Sequence, residues 1–301
     1  MQPILAYPAL AGMTYPCLEI LWRIVPDASG IARLGADERA EVRVLMTSAS
    51  RGCNEETISL LPNLAFVISQ GAGSEKIDRK ALDARRIKLR LVNETVTEDV
   101  ADLAMTLTQM LCRNLVAADR FSRGAWASGR FDLGDSLVGM TIGIAGLSGR
   151  IGQAIAARAR VSGMRIAGLD RPSNRGLGDS LHDGWRALAE ASDVLVLAVP
   201  GTDDLSAIID ADVLAALGTK GRLVNVGRGN LVDTDALIDA LERGGIAGAA
   251  LDVLDTEPHV PTRLAALSNV ILTPHIGAQT WGQRARAAKI AEAEVLAFLG
   301  L

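Results

Sequence analysis

Three short segments late in the chain carry side-chain types suited to acid–base chemistry: Val224-Asn-Val-Gly-Arg228-Gly, Leu251-Asp-Val-Leu-Asp-Thr-Glu257-Pro and Thr273-Pro-His275-Ile-Gly277. The chain has three histidines, His182, His259 and His275, and only His275 directly follows a strand-like run in such a position. Imidazole exchanges a proton near neutral pH. A lone histidine is more often structural than catalytic; one that shares the strand ends with an arginine and a glutamate is a better candidate. The planar guanidinium of Arg228 can grip a carboxylate through two parallel hydrogen bonds, which a lysine could not reproduce. An earlier segment, Gly146-Leu-Ser-Gly149-Arg-Ile-Gly152, suits a different task. Glycine lets the backbone turn tightly and approach a pyrophosphate, whose charge is met by N–H groups at the start of the following helix. The spacing is GxxGxxG, one residue longer than the usual GxGxxG, and such turns also occur without a ligand. Its context adds weight: Asp170 stands at the end of the next strand-like run. A carboxylate there can accept hydrogen bonds from both ribose hydroxyls of NAD. The other reading of Asp170 is a cap before Pro172, and Arg171 and Arg175 leave NADP open.

These loops need a frame. Val42–Met46, Leu64–Ile68 and Ile87–Val92 read as strands, followed by a helical stripe over Thr97 to about Phe121, with Val100, Leu103, Ala104, Leu107, Leu111 and Leu115 at three- and four-residue steps. Further strands are expected at Thr141–Ala145, Arg165–Leu169, Val194–Val199, Arg222–Val226, Ile246–Val253 and Val270–Thr273, with helices at Arg150–Val161, Trp185–Ala191, Ala211–Leu217, Thr234–Arg243 and Gln279–Leu299. Near-continuous apolar strands alternating with helices predict an α/β fold with parallel sheets covered on both faces. Such a sheet holds its ligand at the carboxyl ends of its strands.

Length and composition set the bounds. A chain of 301 residues is comfortable as two domains. Hydrophobic residues at 49% and charged residues at 22% supply real cores. With 31 Lys+Arg against 35 Asp+Glu and no long run of either sign, neither nucleic acid nor an anionic membrane is the expected partner. Three scattered cysteines (Cys17, Cys53, Cys112) form no disulfide framework or metal-ligand spacing. No apolar run reaches the roughly 18–20 residues of a membrane span. Met1 to Val25 lacks a basic segment ahead of its apolar residues, so no secretory signal and a cytoplasmic location are expected.

With these motifs in order, the chain resembles the D-isomer-specific 2-hydroxyacid dehydrogenase family. The likeness is strongest from Asn225 to Gly277. Ser-Gln-Gly71-Ala-Gly73-Ser-Glu-Lys-Ile-Asp78 resembles the family's substrate-carboxylate loop, and Val100-Ala-Asp-Leu103 the start of its interdomain helix. The departures are the extra residue around Ser148 and a shortened segment at Asn93–Thr97. The resemblance implies two Rossmann-like domains with doubly wound parallel sheets: a discontinuous substrate domain, residues 1–97 plus 279–301, and a dinucleotide-binding domain, residues 98–278. The helices at Thr97–Phe121 and Gln279–Leu299 would join them at hinges, and closure would exclude water from the reaction. It implies that His275 is the general acid, that Glu257 pairs with it, and that Arg228, with backbone N–H groups at Ala72 and Gly73, holds the substrate carboxylate. It further implies cofactor contacts at Ser148, Gly149, Arg150, Ile151, Asp170, Val199, Pro200, Val226, Gly227, Asp252 and Gly277, with NAD as cofactor, NADP as the open variant, and no metal. The implied reaction is hydride transfer between NAD(P)H and a small 2-oxo acid, glyoxylate or hydroxypyruvate, by a homodimer. Formate dehydrogenase relatives are disfavoured, because they carry glutamine where Glu257 stands. The alternative is an NAD(H)-sensing, corepressor-like protein of the same fold without turnover.

Overall fold

The computed structural model describes residues 3–6, 15–19, 21–25, 27–71, 73–201 and 203–301. The chain divides into two compact units, one formed by Met1–Val96 with Ala278–Leu301, the other by Thr97–Gly277.

The first unit is built on five parallel strands: β1 (Ile4–Ala6), β2 (Trp22–Ile24), β3 (Val44–Ser48), β4 (Phe66–Gln70) and β5 (Lys88–Val92), in the order β2-β1-β3-β4-β5. Side chains alternate between faces along a strand. Ile4, Ala6, Val44, Met46, Phe66 and Ile68 join the C-terminal helix Trp281–Leu299, which supplies Ala287, Ala288, Ala291 and Val295 to the same core. Leu5, Leu45 and Val67 face the opposite way, onto Ile31, Ile58 and Leu82 of short helices. Leucine-sized side chains that lose all exposure contribute about 2 kcal/mol each, and both faces of this sheet collect them.

The second unit carries seven parallel strands: β6 (Thr141–Ala145), β7 (Arg165–Leu169), β8 (Ser180–His182), β9 (Val194–Leu197), β10 (Arg222–Asn225), β11 (Gly248–Leu251) and β12 (Val270–Leu272). Their order is β12-β11-β10-β9-β6-β7-β8. The direction of winding reverses between β6 and β9, and in a doubly wound sheet that crevice is where a ligand binds. Helices Thr97–Cys112 and Arg150–Val161 pack together, while Gly184–Glu190, Ala211–Leu217 and Thr234–Glu242 build a separate core against Leu195, Leu197, Leu223 and Leu251. Val194-Leu-Val-Leu197 is wholly buried, as a strand covered on both faces must be.

Several elements differ from the sequence expectation. Strands expected at Val42–Met46 and Leu64–Ile68 begin two residues later, at Val44 and Phe66, which pair with each other. Val42 and Leu64 are buried just ahead of the ladder, so the apolar pattern marks burial rather than pairing. The helix expected to reach Phe121 breaks at Asn114, whose backbone is left-handed (φ 49°), giving Thr97–Cys112 and Leu115–Gly124. The cause is tertiary. The Cys112 carbonyl accepts from the Asp135 N–H at 2.7 Å, and a Cβ on Gly134 would stand 2.9 Å from that oxygen, so a later loop caps the helix end. Strands β1, β2 and β8, three residues each, are not among the expected ones, whereas the equally short β12 is, as Val270–Thr273; over three residues a period carries little signal.

Candidate active site

In the second unit the catalytic candidates lie on loops after β10, β11 and β12. The loop after β12 places His275 in the left-handed region, φ 54°, which is uncommon for a residue with a Cβ and marks backbone held against its own preference. Asp252, just past β11 and only 3% exposed, does the holding. Its carboxylate accepts from Thr273 Oγ1 (2.6 Å), the Ile276 N–H (2.8 Å) and the Gly277 N–H (2.9 Å), and its carbonyl accepts from the His275 N–H at 2.9 Å. A Cβ on Gly277 would stand 3.1 Å from Asp252 Oδ2 and 3.3 Å from Val100. Val100, read from the sequence as part of a buried stripe, therefore also backs the histidine turn.

The turn directs the His275 ring to Glu257, with Nδ1 and Oε2 3.0 Å apart. The other carboxylate oxygen accepts from the Leu254 N–H at 2.9 Å, so Glu257 is oriented from its own loop. An ionised carboxylate only accepts; Nδ1 therefore carries the proton and donates. Both side chains are well exposed within the unit, 53% and 38%. An ion pair that open to water adds at most about 1 kcal/mol to stability, so its geometry is not explained by a need to hold the fold together.

Arg228 is positioned by Asn225, a buried residue at the end of β10. Asn225 Oδ1 accepts from the Gly227 N–H (3.0 Å) and its Nδ2 donates to the Arg228 carbonyl (2.9 Å), gripping the loop from both sides. The Arg228 guanidinium donates to the Gly227 carbonyl at 2.8 Å. A Cβ on Gly229 would overlap the backbone of Leu254 and Asp255, so only glycine lets the arginine loop lie against the loop that carries Glu257. Sequence reading did not single out Asn225; an asparagine two residues before a glycine at a strand end is an Asx-turn signal that could have found it.

The glycine loop follows β6 at the crevice between β6 and β9. Gly146 has φ +94°, and a Cβ on Gly152 would run into the Gly146 carbonyl oxygen, so the turn and the start of the helix Arg150–Val161 close up as a dinucleotide cradle requires. The Ile151 and Gly152 N–H groups lie in the first helical turn, where no intrahelical acceptor exists. Val199 and Pro200 follow β9, Val226 and Gly227 follow β10, and a Cβ on Gly227 would stand 2.8 Å from the Val199 carbonyl. Asp170 follows β7 and is exposed, its N–H donating to the His182 carbonyl at 2.8 Å. Ser148 has its N–H on Asn174 Oδ1 (3.0 Å), so that amide is committed to a side chain. These residues fit a dinucleotide: a glycine cradle, a helix start and an exposed carboxylate stand at the ends of neighbouring strands.

In the first unit, Gly71 follows β4 with φ +108° and Gly73 is buried, while Ala72 lies outside the described residues. Gln70, the last residue of β4, is buried and its Nε2 donates to the buried Tyr15 hydroxyl, which burial pushes up to about 12. Burial likewise pushes the Cys53 thiol up to about 12, and raises that of Cys112. Burial disfavours the thiolate of both.

Residues 105–277 match the family model described as "D-isomer specific 2-hydroxyacid dehydrogenase, NAD binding domain". The chain is 42% identical over 243 residues to a glyoxylate/hydroxypyruvate reductase of Arabidopsis thaliana, covering 80% of this chain and 77% of that protein. It is 38% identical over 268 residues to a glyoxylate reductase of Thermococcus kodakarensis, covering 86% and 80%. Among solved structures, the NADPH-dependent glyoxylate/hydroxypyruvate reductase of Sinorhizobium meliloti in complex with NADP and malonate superposes with a TM-score of 0.86 at 36% identity, covering 99% of this chain and 94% of that one.

Proposed function

Because the chain belongs to the D-isomer specific 2-hydroxyacid dehydrogenase family, we propose that its substrate is a small 2-oxo acid, glyoxylate or hydroxypyruvate, reduced to the D-2-hydroxy acid. The chain is an NAD(P)-dependent 2-hydroxyacid dehydrogenase. When bound, the dinucleotide supplies the hydride; the remaining tasks fall to this chain's own groups. His275 gives a proton to the keto oxygen from Nε2 while Nδ1 stays on Glu257, and Glu257 stabilises the imidazolium before transfer. Arg228 holds the substrate carboxylate with one edge of its fork and draws charge onto the keto oxygen with the other. The backbone N–H groups at Ala72 and Gly73 are further carboxylate donors, which makes the first unit the substrate domain and the second the dinucleotide domain. Arg150 and Ile151 meet the pyrophosphate, and Gly149, whose N–H is spent on the Gly146 carbonyl at 2.9 Å, closes the turn beside it. Val199, Pro200, Val226, Gly227 and Gly277 line the nicotinamide side, and Asp252 fixes the turn next to it. Asp170 takes the ribose hydroxyls and so favours NADH over NADPH.

The single observation that supports this most is the Nδ1–Oε2 contact of 3.0 Å between an exposed histidine and an exposed glutamate, on loops that also bring in Arg228. The test is a panel of 2-oxo acids with NADH and NADPH, followed by loss of reduced-nicotinamide absorbance. Turnover of glyoxylate or hydroxypyruvate, with the higher kcat/KM for NADH, is expected; binding of NADH without turnover of any member of the panel would refute it.

A homodimer is proposed on the helix Leu115–Gly124, none of whose residues is buried. With the segment after it, this helix exposes Leu115, Trp126, Phe131 and Leu133, side chains of the kind that association covers. A monomer in sedimentation at micromolar concentration would sink that proposal. No helix among the described residues is long and apolar enough to cross a membrane. A reducing compartment, the cytoplasm, suits three free thiols, and cell fractionation checks it.

A further inference from the structure

The glycine loop has one residue more than the usual spacing, and the structure shows where that residue is stored. Ser148 is held through three of its groups. Its N–H donates to Asn174 Oδ1 (3.0 Å), its hydroxyl meets the Ser173 hydroxyl (3.2 Å), and its carbonyl accepts from Gln153 Nε2 (3.0 Å). Asn174 is only 4% exposed, and its Nδ2 donates to the Leu169 carbonyl at 2.9 Å. Ser148 N–H can only donate and Leu169 C=O can only accept, so the two partners fix which end of the amide faces each. The asparagine is not needed to close its own turn, which the backbone does by itself through Asn174 N–H to the Arg171 carbonyl (2.9 Å). Its side chain instead bridges two ligand-facing segments: the loop after β6, and the end of β7 immediately before Asp170.

We propose that Asn174 is a positioning residue for the dinucleotide: it turns the inserted residue's N–H away from the anion and pins the loop, so that, with the Gly149 N–H spent on the Gly146 carbonyl (2.9 Å), the pyrophosphate is met by the Arg150 and Ile151 N–H groups at the start of the helix Arg150–Val161. This rests on the cofactor reading above and deepens it, since that reading leaves open how a longer loop stays ordered. A loop with an extra residue has more conformations to lose when it binds an anion, and a buried side chain that has already restricted it lowers that cost. The Ser148 amide is then no cofactor donor, although its position in the motif suggests one.

Asn174→Ala deletes two hydrogen bonds, one to each of the segments it joins. The dissociation constants for NADH and NADPH, measured by fluorescence, should both rise by about tenfold or more, with kcat at saturating cofactor within about twofold of the parent. Deleting Ser148 restores the six-residue spacing, and in that background Asn174→Ala should no longer change either constant. Amide hydrogen exchange gives a readout that needs no variant to fold: the Ser148 N–H should be protected in the cofactor-free chain and gain nothing when NADH is added. Unchanged affinities in Asn174→Ala, an equal penalty in both backgrounds, or Ser148 protection that appears only with NADH would each overturn the proposal. Failure of the unmodified chain to bind either dinucleotide would instead bring down the functional reading on which it rests.

Discussion

Replacing His275 by alanine is expected to lower kcat/KM for the preferred 2-oxo acid by about 10²–10⁴-fold, the scale on which a positioned acid contributes. The fold and the affinity for NADH should stay close to those of the parent chain. The expectation of an intact fold follows from exposure: the His275 ring and the Glu257 carboxylate are open to water, and their contact adds little to stability. The alanine also keeps a Cβ at a position whose φ of 54° is imposed by neighbours rather than by the ring. Glu257→Gln should cost less than His275→Ala, because the amide can still orient the ring but cannot stabilise its charge. A His275→Ala chain that reduces its substrate at the parental rate would remove the histidine from the mechanism. So would a loss of activity explained entirely by unfolding.

The second large effect is expected at Asp252, and here stability and activity should fall together. Its carboxylate accepts from Thr273 Oγ1, Ile276 N–H and Gly277 N–H. Truncation to alanine orphans the buried Gly277 N–H, at about 1–3 kcal/mol, takes its acceptor from the part-buried Ile276 N–H, and frees the turn that holds His275 left-handed. Asp252→Ala should therefore lower the urea midpoint of the second unit measurably and reduce kcat by more than tenfold, since a small displacement of a catalytic group is costly. Asp252→Asn keeps the shape but points an amide N–H₂ at one or more N–H donors, so it should behave like the alanine variant rather than the parent. Parental stability with lost activity would mean that the aspartate acts on the ligand directly and that the turn does not need it.

These two residues differ in how visible they were beforehand. Arg228, Glu257 and His275 stood out because each has a side chain suited to a chemical task and follows an apolar run, which in a parallel sheet puts it at a strand's ligand-facing end. Asp252 entered the sequence analysis only as a cofactor contact that the resemblance implies, because the three donors that fill it come from 21 to 25 positions further along the chain. Asn225 and Asn174 went unread altogether. Each acts through one side chain on one or two backbone groups, and a single hydrogen bond leaves no periodicity for a sequence to display.

By itself the order of residues determined the architecture and the chemistry on offer. Buried strands such as Val194–Leu197 announce themselves because both of their faces must be apolar, and the helix at Arg150–Val161 because its period and its preceding glycines agree. Only the tertiary structure decided where the helix after Thr97 stops, where the pairing of Val44 with Phe66 begins, how the His275 backbone is bent, and that the N–H of Ser148 belongs to Asn174. The physical reason is common to all four. Burial is a property of many residues and is written as a repeating pattern, whereas a cap, a register or a clamp depends on one polar group meeting another that the fold has brought from elsewhere in the chain.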